Sequence, residues 1–160
     1  MYVATIAAYS DLHIEHSSVV LSATADVIVL AGDIYALGPA YMEEPSVIHW
    51  IDQTFPDKDV VFVPGNHDLE NSYWERQMRV WCAHAQQLGG RIHVLWNESV
   101  ILHGVQFLGT PLFSNFSSTN NSQEAIKAAK GVPDFNRIWH LSGKCVTPED
   151  YIQWHSAYKS

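Results

Sequence analysis

Three short segments of this sequence carry side chains that ligate metals, and each follows an apolar run: SDLH at 10–13, AGDI at 31–34 and PGNHD at 64–68. Asp11 and His13 stand two residues apart at a strand end, so a carboxylate and an imidazole reach a common cation. Asp33 offers a carboxylate able to bridge two ions, and Asn66 offers a neutral amide oxygen. Mixed carboxylate, imidazole and amide ligands suit Mn, Fe or Zn better than a thiolate-preferring metal. Gly32 and Gly65 let the backbone approach closely with no side chain in the way. Singly these signals are weak: D-x-H is short, an Asp after Gly is commonly a turn residue, and GNHD alone reads as a turn. Their order, each behind an apolar strand, is what points to a metal site, because open α/β sheets bind ligands at the carboxyl ends of their strands.

The elements that must position these residues are legible in the hydrophobic pattern. Val3 to Tyr9, Asp26 to Ala31 and Val60 to Val63 are short β-branched runs, the last two nearly continuous in apolar character, which predicts parallel core strands covered on both faces. Between the second and third, EPSVIHWIDQTF predicts a helix, with Ser46 as its cap and Val47, Ile48, Ile51 and Phe55 at helical spacing. Ser72 with Glu75 three residues on predicts a capping box, opening a helix to about Leu88 that Gly89 and Gly90 stop. IHVLW, SVILHG and VQFLGT then predict short strands, the last two joined tightly around Gly104. Residues 111–121 read as a polar loop, followed by a short helix from Ser122 to about Lys130. Thr147 as cap, Pro148 at the first helical position and Asp150 in the first turn predict a last helix.

A chain of 160 residues with 47% hydrophobic content fits one α/β domain with a real core. The net charge is -8 and the nine Lys and Arg are not clustered, so extended nucleic acid is not an expected partner. No apolar run approaches the length of a membrane span, and no basic leader precedes the first apolar stretch, so no membrane is expected and the cytoplasm is the expected compartment. Cys82 and Cys145 lack C-x-x-C partners and read as reduced, buried thiols. His49, His84, His93, His103, His140 and His155 fall away from the three strand ends and read as structural or surface residues, as Trp74, Trp81 and Trp96 read as core. His16 is close to the crevice and receives no role.

The ordered motifs, Asp11-x-His13, Gly32-Asp33 and Gly65-Asn66-His67-Asp68, resemble those of the calcineurin-like metallophosphoesterases. YSDLHIEH, ADVIVLAGDI, VFVPGNHD and GVQFLGTPLF extend the resemblance to the bacterial branch over most of the chain. It implies the N-terminal part of a metallophosphoesterase sandwich, with mixed sheets flanked by helices. It also implies two divalent ions, Asp11 and His13 binding one, Asp33 bridging both and Asn66 binding the second. A metal-bound hydroxide would hydrolyse a small phosphoester, with Asn66 and His67 at the substrate and His67 as the catalytic acid facing the leaving group. Two departures stand out. The family's later histidine and G-H-x-H segment do not occur in these 160 residues, which reads as a calcineurin-like phosphoesterase domain over 1–160 truncated at its C-terminus. Ala36 stands where the phosphoprotein phosphatases carry an Asp, which argues against that branch. The rival expectation is an inert scaffold or binding module that retains the fold. Oligomeric state is left open.

Overall fold

Apolar runs behind the three motifs become neighbouring strands. The computed structural model describes residues 3–16, 19–36, 46–118 and 121–157. In chain order the elements are β1 (Ile6–Tyr9), β2 (Val27–Ala31), α1 (Ser46–Thr54), β3 (Asp59–Val63), α2 (Asn66–Leu69), β4 (Ser72–Tyr73), α3 (Trp74–Gln87) and β5 (Ile92–Val94). There follow β6 (Glu98–Leu102), β7 (Val105–Gly109), α4 (Ser122–Ala129), α5 (Asp134–Arg137), β8 (Ile138–Trp139) and α6 (Pro148–Ala157). The main sheet has the order β1-β2-β3-β5 with every pair parallel, β6 and β7 form an antiparallel hairpin, and β4 pairs parallel with β8. The expected α/β class with flanking helices is what the chain adopts; among the described residues each sheet is wholly parallel or wholly antiparallel, the antiparallel pair standing as a separate hairpin.

Both faces of the central strands are used. Ile28, Leu30, Val60 and Phe62 belong to the main core with Ile48 and Ile51 of α1 and Trp81 and Ala85 of α3. Val27 and Val61 belong with Leu95 to a second cluster, against which Val29, Val63 and Val100, Leu102 and Phe107 of the hairpin pack. Such double coverage is why β2 and β3 read as continuous apolar runs rather than alternating ones. β1 differs. It lies at one end of the sheet, and Ile6 remains 46% exposed, so its apolar run marks an edge strand and not a core one.

Four turn and cap readings meet different fates. The hairpin turns through His103 and Gly104, both at positive φ, as a two-residue primed turn demands. At α6, Thr147 and Asp150 cap reciprocally: Asp150 N donates to Thr147 Oγ1, while Thr147 N and Oγ1 donate to Asp150 Oδ2 at 2.8 and 2.7 Å. These bonds hold the Asp150 carboxyl below its usual range although partial burial pushes the other way. The Ser72 capping box does not form. Ser72 lies in β4, its Oγ donates to Leu69 O at 2.7 Å, and Tyr73 stands at the N-cap of α3. Ser46 is likewise no cap: it lies inside α1, and its buried Oγ has no hydrogen-bond partner among the described residues.

The stretch between α4 and α6 is a brace that local patterns do not announce. Asn71 N donates to Arg137 O, Ser72 and Tyr73 register with Ile138 and Trp139, and Arg137 donates to Glu70 Oε2 at 3.0 Å. α6 is held by an aromatic cluster in which Phe113 stacks on Tyr151 at 4.2 Å between centroids and Trp154 meets Trp74 and Trp96 at 5.0 and 5.3 Å. Residues after α2 are thereby tied to residues more than sixty positions later. Among the described residues no helix is long and apolar enough to cross a membrane.

Candidate metal centre

Parallel pairing of β1, β2 and β3 brings their carboxyl ends to one edge of the sheet, and the backbone keeps them in register beyond the strands. Asp11 N donates to Gly32 O, His13 N to Asp33 O and Ile14 N to Ile34 O, at 3.0 to 3.1 Å. Asp11, His13 and Asp33 have φ of 53°, 43° and 54°, the left-handed region that non-glycine residues seldom occupy. Each such residue costs on the order of 1–3 kcal/mol, and strain of this kind persists where the surroundings enforce it, commonly at functional sites. Here its result is convergence: one ligand atom from each of Asp11, His13 and Asp33 lies within 4.8 Å of the others.

The surroundings orient these groups. His13 Nδ1 lies 3.3 Å from Glu15 Oε1, and Glu15 Oε2 accepts from Ala36 N at 3.2 Å. A carboxylate only accepts, so this contact puts the proton on Nδ1 and leaves Nε2 as the ligating nitrogen, the arrangement common for metal-bound imidazoles. Asp33 Oδ1 accepts from His67 N at 3.0 Å, which sets the carboxylate across the start of α2. The His67 ring meets His13 edge-on at 4.8 Å. His16 is exposed, 3.6 Å from Glu15, and stands outside the cluster.

Two glycines make the close approach possible. A Cβ on Gly65 would collide with the Asp33 carboxylate and stand 2.8 Å from Asp33 N, while one on Gly32, at φ 87°, would press on Gly65 Cα at 3.2 Å. Asp68 locks the two loops from beneath. It is fully buried, with Oδ2 accepting from Asp33 N and Gly65 N and Oδ1 from Ile34 N and Tyr35 N, all at 2.8 to 2.9 Å. Burial pushes its carboxyl up to about 7, against the downward pull of the amides. Asn66 opens α2, and its Nδ2 donates to Asp134 Oδ1 at 3.1 Å, leaving its Oδ1 as the atom available to a ligand. Asn66, Gly32 and Gly65 border a cleft of about 360 Å³ otherwise lined mainly by apolar side chains of β2, β3, β7 and residues 110–113.

The sequence as a whole now decides the lineage: the model of the calcineurin-like phosphoesterases matches residues 4–156. The chain belongs to that family. No curated protein matches it. In this calcineurin-like phosphoesterase the residues present fit a divalent-cation site, since two carboxylates and an oriented imidazole converge where a side chain at position 65 would not fit. Four other histidines of this phosphoesterase have partners away from the three strand ends. His49 packs on His84 at 4.4 Å between α1 and α3, His103 pairs with Asp59 across 3.0 Å, and His140 lies between Glu75 and Asp150. Glu15, Asp68, Asp134 and Tyr151 received no role from the sequence. Glu15 carried a faint signal, standing two residues from His13; Asp134 carried none, because the contact that matters spans 68 positions.

Proposed function

We propose that the chain is a metal-dependent phosphoester hydrolase whose two divalent ions, Mn, Fe or Zn, are held through Asp11, His13, Asp33 and Asn66. The observation that carries this is the convergence of Asp11, His13 and Asp33 within 4.8 Å in a chain of this family. Asp11 and His13 would serve the first ion, Asp33 both, and Asn66 the second. Bound divalent ions of this kind supply a nucleophile from water near neutral pH and draw charge from the phosphoryl oxygens. The sequence contains no G-H-x-H segment, and Asp33 and Asn66 would hold the second ion together with donors beyond these four side chains. Within residues 1–160, read as one phosphoesterase domain, the four side chains then form the nucleus of the site and not a closed cage. Small phosphoesters are the substrates proposed, because a net charge of -8 gives no sequence-independent grip on long polyanions.

His67 is the proposed general acid. Its N–H is spent on Asp33 and its ring is half-buried beside His13, so the imidazole is placed next to the ligands without being needed among them. Proton donation to a departing alkoxide is worth about a hundredfold to ten-thousandfold. His67→Asn is therefore expected to slow hydrolysis of an alkyl phosphoester by that range, and to leave a nitrophenyl ester, whose leaving group needs no proton, little affected. Metal content should stay near the wild-type value. Equal losses on both esters would remove the acid role, and loss of metal would make His67 a ligand.

A further inference from the structure

We infer that Asp134 and Tyr151 form a positioning relay that fixes the amide of Asn66 with its oxygen toward the metal. The inference rests on the reading of Asn66 as a ligand of the second ion. An asparagine amide presents oxygen or nitrogen according to a half-turn of its last torsion, and only the oxygen ligates a cation. In this chain Asn66 Nδ2 donates to Asp134 Oδ1 at 3.1 Å. The flipped amide would set its carbonyl oxygen against a carboxylate oxygen, acceptor against acceptor, so the contact selects one orientation. A hydrogen bond from the amide to a carboxyl oxygen also draws electron density toward Asn66 Oδ1, strengthening it as a ligand, as such acceptors do for metal-bound imidazoles.

The relay is anchored far from the strands. Asp134 is 7% exposed and Tyr151 5%, and Tyr151 OH donates to Asp134 Oδ2 at 2.9 Å, so each carboxylate oxygen has its own donor. Burial, with Asp134 beside it, pushes the Tyr151 hydroxyl well above its usual range, so it keeps its proton and donates. Phe113 and Phe135 pack on the Tyr151 ring at 4.2 and 4.9 Å, and the Thr147–Asp150 cap sets the start of its helix. A buried carboxylate is costly unless paired. Among the described residues no cation pairs with Asp134: Arg137 on the same short helix reaches Glu70 instead. The two groups that satisfy Asp134 are a tyrosine and the candidate ligand, which is the arrangement of an orienting group and not of a stabilising ion pair.

The test is Mn²⁺ binding to the folded chain, followed by electron paramagnetic resonance of the free ion, so that a tighter and a weaker event are resolved. Asp134→Ala is expected to loosen the weaker event about 10–100-fold and leave the tighter one, assigned to Asp11, His13 and Asp33, within about twofold. Tyr151→Phe, which removes one neutral donor, is expected to loosen the weaker event about two- to tenfold. Asp134→Asn keeps an acceptor and should restore part of the loss. In an Asn66→Ala background, Asp134→Ala should add nothing further, because the amide it orients is gone. Equal weakening of both events, an effect that persists in the Asn66→Ala background, or no effect of Asp134→Ala would overturn the relay while leaving the metal reading standing. A wild-type chain that shows no second event would overturn the two-ion reading, and the relay with it.

Discussion

Asp68→Ala is expected to lower the unfolding free energy by about 4 kcal/mol or more, since it strips the partner from four backbone amides and each orphaned buried donor costs on the order of 1 kcal/mol or above. The amides belong to Asp33, Ile34, Tyr35 and Gly65, and no side chain of alanine's size reaches any of them. For a domain whose total stability lies at roughly 5–15 kcal/mol, that loss leaves little margin. The pH dependence has a defined sign. Asp68 titrates at about 7 in the folded chain and near the ordinary carboxyl value when unfolded. Between about pH 4 and 7 the folded state therefore binds the extra proton, and this contribution to stability falls as pH rises through that window. Alanine has no such proton, so the gap between wild type and Asp68→Ala should be wider at pH 5 than at pH 8. Urea unfolding at the two pH values, followed by circular dichroism, measures both. A loss under 1 kcal/mol at either pH would mean that the four amides have other partners.

Asp33→Asn is the second large effect expected, and it falls on metal binding. Asp33 is proposed to bridge both ions, so the substitution removes the one charge that both share. It also sets an amide where Oδ1 now accepts from His67 N at 3.0 Å. If the new NH2 faces His67, donor meets donor; if it faces the ions, a ligand is lost. Weakening beyond the 10–100-fold typical of outer partners is expected. His13→Gln should cost less, because glutamine still offers a neutral oxygen and Asp11 and Asp33 keep their charges. Calorimetric titration of the two variants with Mn²⁺ makes the comparison. Equal losses would contradict the bridging role.

How far the chain could be read before folding depended on whether a contact was local or distant. The three motifs were legible because each is a strand end, and a parallel sheet puts strand ends together whatever the intervening loops do. The Gly104 turn and the Thr147–Asp150 cap were legible because every partner lies within four residues. The Ser72 capping box failed for the opposite reason: pairing of β4 with β8 claims residues 72 and 73, and the hydroxyl turns back to Leu69 O. Tertiary pairing outweighed a cap that contributes about 1 kcal/mol. The exposure of β1 followed from sheet order, which no local pattern encodes. Asp134 and Tyr151 were invisible because their partner, Asn66, lies in another third of the chain. The left-handed backbones of Asp11, His13 and Asp33 were equally hidden: Asp tolerates that region, but nothing in the residue type requires it.

The most direct measurement is Mn²⁺ uptake by the protein together with its hydrolysis of a bis(nitrophenyl) phosphodiester, in the wild type and in Asp33→Asn. Hydrolysis is expected to rise with the metal bound, to vanish on chelation, and to be lost with metal affinity in Asp33→Asn. A wild-type protein that binds no divalent ion, or one whose hydrolysis survives both chelation and Asp33→Asn, would contradict a metal-dependent phosphoesterase built on Asp11, His13, Asp33 and Asn66.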